Sequence, residues 1–125
     1  MSWQAYVDTN LCGAGLKSAA IVGHNGGTWA TSSGFSVSQT EATNLVKGFA
    51  NSNAIRASGI HLAGVKYIAL RADDRSIYGK KGAGGCCCVK TGQAVLIGVY
   101  DENLQPGAAA KVVEALADYL IDAGY

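Results

Sequence analysis

The chain has 125 residues, the length of one domain, and can bury about two-thirds of the surface of its unfolded form. No run approaches the roughly 18 apolar residues of a membrane-spanning helix, and the first residues lack the basic and apolar regions of a secretory signal peptide. We therefore expect a single cytosolic domain over residues 1–125. The net charge of +1 is too close to neutral for the strong electrostatic footprint of a nucleic-acid-binding protein.

The first predicted element is a helix of about three turns. Ser2 is a suitable N-cap, and Gly13 and Gly15 are placed to end the helix. One helical face carries Trp3, Tyr6, Val7, Asn10, Leu11 and Ala14. So short a helix is marginal alone and must dock on the rest of the protein.

Two strands, residues 16–22 and 28–31, are predicted next, joined by a hairpin. Between them lies His24-Asn25-Gly26-Gly27, in which Asn-Gly supplies the positive φ angles of a tight turn.

A second helix is predicted to follow. Ser38 and Glu41 form a capping-box pattern. The apolar residues Ala42, Leu45, Val46 and Phe49 recur at helical spacing, and Asn51-Ser52-Asn53 is predicted to end this helix.

The middle of the chain has a β-type pattern. Strands are predicted over residues 65–72, 75–81, 86–91 and 94–100. Because the connections are too short for parallel crossovers, these strands are expected to be antiparallel. A last helix begins at Pro106, and its apolar stripe contains Ala109, Val112, Val113, Leu116, Ala117 and Leu120.

Charge is distributed unevenly along the chain. Six basic residues lie within residues 66–90, against only two acids. Solvated strand positions explain such a pattern as well as a binding face does. The rival from another functional class is a basic β-sheet module that binds nucleic acid through these cations and the interleaved Tyr67 and Tyr78, although no RNA-recognition signature is present.

No catalytic or metal site is predicted. His24 and His61 stand alone, and paired Cys-x-x-Cys elements are absent. The glycine-rich residues 79–85 lack the Gly-Lys-Ser/Thr of a phosphate-binding loop. Adjacent thiols in Cys86-Cys87-Cys88 point to opposite faces of a strand, so we expect these and Cys12 to be reduced, structural thiols. No enzyme activity and no cofactor are expected.

Aromatic residues cluster at both ends of the chain. Trp3 and Tyr6 open it, and Tyr119 and Tyr125 fall in its last seven residues. If the two terminal helices lie side by side, these rings and Trp29 form one platform. Tryptophan and tyrosine stack on proline rings and donate hydrogen bonds to the solvated carbonyls of a polyproline II helix. The alternative is ordinary packing of these rings between helices and sheet.

Several motifs together resemble the profilin family, most closely its amoeboid and plant-like branch. The resemblance covers essentially the whole chain, in order. It is carried by Ser2-Trp3-Gln4-Ala5-Tyr6-Val7-Asp8, Thr28-Trp29-Ala30, Leu70-Arg71-Ala72-Asp73-Asp74-Arg75-Ser76-Ile77-Tyr78-Gly79-Lys80-Lys81-Gly82, Ile97-Gly98-Val99-Tyr100-Asp101-Glu102, Gln105-Pro106-Gly107 and Leu116-Ala117-Asp118-Tyr119-Leu120-Ile121. Cys86-Cys87-Cys88 departs from the β-branched residues that this family would have there.

This resemblance implies an α+β fold, with a central antiparallel sheet, the N- and C-terminal helices on one face and shorter helices on the other. It also implies a monomeric, cytoplasmic, cytoskeleton-associated regulator of actin polymerisation that promotes nucleotide exchange on actin without an enzymatic reaction of its own. The implied partners are monomeric actin, proline-rich proteins such as formins, and phosphatidylinositol phosphates at the membrane surface.

Site residues follow from the same resemblance. The polyproline-binding positions match Trp3, Tyr6, Trp29, Tyr119, Leu120 and Tyr125. The actin-binding positions match Arg71, Arg75, Lys80, Lys81, Lys90, Gly107 and Lys111. The cations expected to bind phosphoinositide are Arg71, Arg75, Lys80 and Lys81. Members of the human type often have a polar residue where Ala115 stands, which would remove one actin contact.

Overall fold

The computed structural model describes residues 2–125, and a sheet of seven strands forms its centre. The strands are β1 (Ser18–Gly23), β2 (Thr28–Thr31), β3 (Ile60–Leu62), β4 (Val65–Ala72), β5 (Ser76–Lys81), β6 (Gly84–Lys90) and β7 (Ala94–Tyr100). Their order across the sheet is β2-β1-β7-β6-β5-β4-β3, and every neighbouring pair is antiparallel.

Four helical segments flank the sheet. They are α1 (Trp3–Ala5, continued by a π-helical turn at Tyr6–Leu11 and a 3-10 turn at Cys12–Ala14), α2 (Gln39–Ala50), α3 (Ser52–Ser58) and α4 (Pro106–Asp122). Within residues 2–125 no helix is both long and apolar enough to cross a membrane.

Each face of the sheet has its own core. Leu11 of α1 and Val113 of α4 pack with Leu96 on one face, whereas Leu45 of α2 and Ile55 of α3 belong to the core on the other. All seven residues of β7 are buried, since both faces of this central strand are covered. The predicted arrangement, an antiparallel sheet with the terminal helices on one face and shorter helices on the other, is confirmed.

The structure confirms two local predictions from the sequence, the hairpin turn and the helix cap. The β1–β2 hairpin turns at the predicted Asn-Gly, where Gly26 has a φ of 86°. The capping box of α2 is complete, because the Ser38 hydroxyl accepts from the Glu41 N–H at 3.1 Å and the Glu41 carboxylate accepts from the Ser38 N–H at 2.9 Å.

The predicted end of the second helix is also confirmed, since Asn51 follows directly on the last residue of α2. The side chain of Asn51 in addition accepts from the Ala54 N–H at 3.3 Å and caps α3, a helix that was not predicted. Several strand boundaries differ from their predictions. Strand β3, which was not predicted, has only three residues. The first strand begins at Ser18 rather than at Leu16, β5 begins at Ser76, and β6 spans Gly84–Lys90.

The buried face of the N-terminal segment also differs from its prediction. Tyr6, Val7 and Leu11 are buried, but Asn10 and Ala14 are exposed. The cause is the π-helical turn, in which each N–H bonds to the carbonyl five residues earlier instead of four. Asn10 and Ala14, which ordinary helical spacing places on the buried face, line an open cleft beside α4 instead.

The three consecutive thiols alternate as predicted. Cys86 and Cys88 belong to the core beneath α2 and α3, and Cys87 belongs to the core beneath α1 and α4. All four cysteines are free. Burial raises the pKa of Cys87 to about 12, and a hydrogen bond with Cys86, followed by burial, raises the pKa of Cys88. Thiols in this state are poor nucleophiles at neutral pH.

Candidate functional site

Rings from four separate parts of the chain meet beside the sheet. The Trp3 ring lies at the centre, with centroid distances of 5.7 Å to Tyr6, 4.9 Å to Trp29 and 5.1 Å to Tyr125. Tyr119 joins through Tyr6, at 6.2 Å. These five residues are called the aromatic surface below. The sequence-predicted convergence of the rings is therefore present in the structure.

The aromatic surface is accessible to a ligand. Tyr119, Tyr125 and Trp29 are 57%, 41% and 39% exposed, Trp3 is half-buried and Tyr6 is buried. Leu120, by contrast, is 0% exposed and belongs to the core that contains Tyr6. It supports the rings from below and offers no surface to a ligand.

Packing and hydrogen bonds hold Trp3 and Trp29 in place. The Ser2 hydroxyl caps α1 by accepting from the Ala5 N–H at 3.1 Å, and the Gln4 side chain donates to the Thr31 carbonyl of β2 at 2.9 Å. A Cβ at position 23 would lie 2.8 Å from the Trp29 indole nitrogen, so a larger residue than Gly23 would displace the Trp29 ring. Strand β2 therefore presents Trp29 directly to Trp3.

The hydrogen-bonding capacity of the aromatic surface remains available. The Trp3 indole N–H donates to no acceptor within residues 2–125, and none of the buried side-chain nitrogens there lacks a partner, so this N–H faces solvent. Burial, followed by a hydrogen bond with Tyr119, raises the pKa of the Tyr6 phenol above its ordinary value of 10.0, so the phenol is a neutral O–H group at neutral pH. The surface thus combines flat apolar rings with N–H and O–H donors.

A cleft of about 400 Å³ continues from the aromatic surface between α1 and α4. Its lining consists of Tyr6, Asn10, Ala14, Val112, Ala115, Leu116 and Tyr119. Ala115, considered above as a missing actin contact, lies here beside Tyr6 and Tyr119.

Two of the predicted basic residues, Lys80 and Lys81, belong to a second surface on β4 and β5. A groove of about 500 Å³ is lined by Lys66, Ile68, Leu70, Lys80, Lys81 and Gly82, called the basic sheet face below. Ile68 and Leu70 are 68% and 59% exposed, and Ile68 pairs with Lys80 across the two strands. No salt bridge within residues 2–125 involves Lys80 or Lys81. The face combines uncompensated positive charge with exposed apolar side chains.

Both predicted arginines already have acidic partners. Arg71 bonds to Asp73 at 3.0 Å and lies 5.3 Å from the centre of the Tyr78 ring. Arg75 bonds to Glu114 at 3.1 Å and to Asp118 at 2.7 Å. Their charges are therefore largely neutralised within the protein, in contrast to those of Lys80 and Lys81.

The remaining predicted actin contacts are dispersed. Gly107 and Lys111 are exposed in the first two turns of α4. Lys90 pairs with Val95, which belongs to the core beneath α2 and α3. Opposed residues of antiparallel strands share a face, so Lys90 lies on the opposite side of the sheet from Tyr78 and Lys80. It is not brought together with the other cations.

Sequence comparison identifies the family. The family model for Profilin matches residues 1–125. Profilin-1B of Acanthamoeba castellanii is 62% identical over 126 residues, which cover 100% of this chain and 100% of the relative. The chain belongs to the profilin family.

Solved profilin structures have the same fold. Acanthamoeba castellanii profilin IB aligns with a TM-score of 0.97 and 61% identity, covering 99% of this chain and 100% of that one. Mouse profilin IIa, in complex with a double repeat from the FH1 domain of mDia1, aligns with a TM-score of 0.82 over 100% of both chains. At 23% identity, the likeness to the mouse protein concerns the fold alone.

In this profilin, sequence reasoning missed one polar hub and two exposed apolar residues. Glu114 accepts from Arg75, from the Ser76 hydroxyl at 2.7 Å and from the Tyr78 hydroxyl, joining α4 to β5. The spacing of Glu114 and Asp118, one helical turn apart, was the available signal. Strand alternation in residues 65–72 would have placed Ile68 and Leu70 together with Lys66 on one face.

Glu114→Gln is expected to lower the free energy of unfolding by about 2 kcal/mol at pH 7, because charge-assisted hydrogen bonds to a partly buried carboxylate are lost. Burial opposes ionisation of Glu114, but its bonds to Ser76, Tyr78 and Arg75 outweigh this and lower its pKa below the usual 4.5. Since the folded-state pKa is depressed, the stabilisation is complete above pH 4.5 and disappears as the pH falls through the folded-state value.

Urea unfolding of both proteins at pH 7 and pH 3 measures this effect. We expect the difference in free energy of unfolding between the two proteins to be smaller at pH 3 than at pH 7. Asp122→Asn, which removes an exposed carboxylate from the same helix, should leave stability unchanged within about 0.5 kcal/mol. A difference for Glu114→Gln that is the same at both pH values would contradict the role of the ionised carboxylate.

Proposed function

We propose that this profilin is a cytoplasmic, non-enzymatic regulator of actin polymerisation, a single domain over residues 1–125 that binds actin monomers, proline-rich ligands and anionic phosphoinositides. In this role it promotes nucleotide exchange on actin by binding alone. The observation that carries the proposal is the open aromatic surface, built from both ends of a chain that belongs to the profilin family.

Proline-rich ligands fit the aromatic surface for a physical reason. A polyproline II helix has no internal hydrogen bonds and exposes both rigid rings and carbonyls. Trp29, Tyr119 and Tyr125 offer exposed ring faces, and Trp3 offers an N–H donor. The complex of mouse profilin IIa with a repeat from the FH1 domain of mDia1 is consistent with this assignment.

Actin is assigned to the basic sheet face and the start of α4. Exposed apolar residues beside charges are typical of protein interfaces, and Ile68 and Leu70 line the same groove as Lys66, Lys80 and Lys81. Gly107, Lys111 and Arg71 are exposed and remain in the proposed contact set, together with the half-buried Arg75. Lys90, on the opposite side of the sheet, is left out.

Phosphoinositide is assigned to Lys80 and Lys81, where the cations have no acidic partner within residues 2–125. Lipid phosphates attract surface lysines by about 1 kcal/mol each. Arg71 and Arg75 were also predicted to bind lipid, but each would first have to leave a carboxylate. Actin and lipid should therefore compete at this face.

Two measurements test the proposal. One is retention on a polyproline column, and the other is formation of a complex with actin monomers, detected by sedimentation velocity. A nucleic-acid-binding module would instead be retained on single-stranded DNA. Tyr67 is 7% exposed, and Tyr78 is occupied by Glu114 and Arg71, so neither supports base stacking. If the protein binds neither polyproline nor actin, the proposed function is refuted.

A further inference from the structure

We propose that the β6–β7 turn, Thr91 to Gln93, is a positioning element for the aromatic surface. In this interpretation the turn holds the main chain of Tyr125, and so fixes where the Tyr125 ring stands beside Trp3, without touching a ligand itself. The inference rests on the proposed proline-binding function and adds to it residues outside the ring cluster that set its affinity.

Tyr125 depends on main-chain contacts for its position. Helix α4 ends at Asp122, and the chain reverses at Gly124, whose φ is 96°. The Tyr125 N–H then donates to the Leu120 carbonyl at 2.8 Å. Its ring is 41% exposed and makes its one aromatic contact within residues 2–125 with Trp3. Side-chain packing alone therefore restrains this ring weakly.

The turn supplies the missing restraint from the other side. The main-chain oxygen of Tyr125 accepts from the Gln93 N–H at 2.6 Å and from the Thr91 hydroxyl at 2.9 Å. The Gln93 side chain also donates to the Gly124 carbonyl at 3.4 Å. Together these bonds tie the last two residues to a rigid sheet turn.

The turn itself is fixed to the sheet. Thr91 is 4% exposed, and its N–H donates to the Ala94 carbonyl at 2.8 Å. The ring of His24 lies 3.0 Å from the Thr91 carbonyl and 3.2 Å from that of Ala94. His24 belongs to the hairpin that carries Trp29, so one turn supports the chain segments of two rings in the aromatic surface.

Fixed rings bind better than mobile ones, because a ligand that orders a mobile side chain loses part of its binding free energy. A change in the turn should then weaken proline binding although the turn lies behind the rings. The effect should operate through Tyr125 and disappear when the Tyr125 ring is absent.

Gly92→Ala is a minimal test. A Cβ at Gly92 would lie 3.2 Å from the main-chain oxygen of Tyr125 and 3.5 Å from its carbonyl carbon, with no other atom within 4 Å outside the two flanking residues of the turn. Gly92 is exposed and lacks a positive φ, so alanine fits the backbone of the turn. The added methyl group presses on Tyr125 alone. We expect binding of a decaproline peptide to weaken about fivefold, with the thermal midpoint within about two degrees of the parent.

Gly13→Ala is the matched control. It places a Cβ 3.3 Å from another main-chain oxygen, that of Asp8, on an exposed residue away from Tyr125. Peptide affinity should be unchanged. A second test is the pair Thr91→Val and Thr91→Ser. Valine removes the hydroxyl that donates to Tyr125 and that accepts from the Ala94 N–H within the turn, at 2.9 and 3.1 Å. Serine keeps this hydroxyl, so it should retain the peptide affinity that valine loses.

The decisive measurement is a double-mutant cycle with Tyr125→Ala, using tryptophan fluorescence to follow peptide binding. If Gly92→Ala weakens binding in the parent but not in the Tyr125→Ala background, the turn acts through the ring. An equal loss in both backgrounds, or no loss in the parent, would overturn the proposal.

Near-ultraviolet circular dichroism separates failure of this inference from failure of the proposed function. The signal of the coupled Trp3 and Tyr125 rings requires no ligand. If the parent does not bind peptide at all, the proposed function fails, but a change of this signal in Gly92→Ala and none in Gly13→Ala still supports the positioning role. An unchanged signal in Gly92→Ala would refute it.

Discussion

Trp3→Ala should weaken decaproline binding by 30-fold or more while the protein remains folded. Trp3 contacts three other rings of the aromatic surface, at 4.9, 5.1 and 5.7 Å, so its loss removes one stacking surface and the support of the rest. Anchor residues of this kind contribute about 2 kcal/mol or more, which corresponds to about 30-fold in affinity. Tryptophan fluorescence or calorimetry measures the change directly.

Trp29→Ala should behave similarly, since Trp29 is more exposed than Trp3 and contacts it directly. Ile121→Ala provides a control, because Ile121 is an exposed apolar residue of α4 outside the aromatic surface. Thermal unfolding must be measured for all three variants. If both tryptophan variants remain folded and bind decaproline with the affinity of the parent, these rings are core residues and the proline site lies elsewhere.

The aromatic surface was largely predictable because its members sit near the ends of elements with clear local signals. Trp3 and Tyr6 follow an N-cap, and Trp29 follows an Asn-Gly turn. The burial of Leu120 shows how two inferences from the sequence can disagree. Helical periodicity in α4 placed Leu120 in the apolar stripe, whereas the resemblance assigned it to the ligand, and the structure buries it completely.

The basic sheet face was predicted less well, for electrostatic reasons. A count of charges within residues 66–90 treats Arg75 and Lys80 alike. The partners that neutralise Arg75 are 39 and 43 positions further along the chain, beyond any local pattern. Strand alternation would have placed Lys90 and Lys80 on opposite sides of the sheet if the register between β5 and β6 had been known.

The fold was predictable where segments are long and periodic, and not where they are short. Helix α3 has seven residues with Ile55 as its only buried residue, and β3 has three residues. Such segments form because neighbours hold them: Glu41 of α2 accepts from the N–H groups of Ala63 and Gly64, at 3.0 and 2.9 Å, in the turn that follows β3. Tertiary contacts of this kind have no signature in a sequence window.

Lys80→Glu combined with Lys81→Glu should weaken actin binding and phosphoinositide binding together, each by about 30-fold. Charge reversal places two carboxylates opposite an acidic partner, and close contacts between like charges cost several kcal/mol. A cost of about 2 kcal/mol for partly solvated charges corresponds to about 30-fold in affinity. Because the aromatic surface is a separate site, decaproline affinity should stay within about twofold. Salt should weaken the actin and lipid contacts far more than the aromatic one.

Lys17→Glu combined with Lys47→Glu is the matched control for this double reversal. It changes the net charge by the same amount at two exposed lysines outside the basic sheet face, so it separates a local contact from general electrostatic attraction. All three affinities are measured for each double variant in one buffer, with actin monomers, phosphoinositide vesicles and decaproline. Equal losses in the two variants would mean that net charge alone governs binding. Unchanged actin binding in the Lys80–Lys81 variant would place the actin site elsewhere, and a parallel loss of decaproline binding would disprove two independent surfaces.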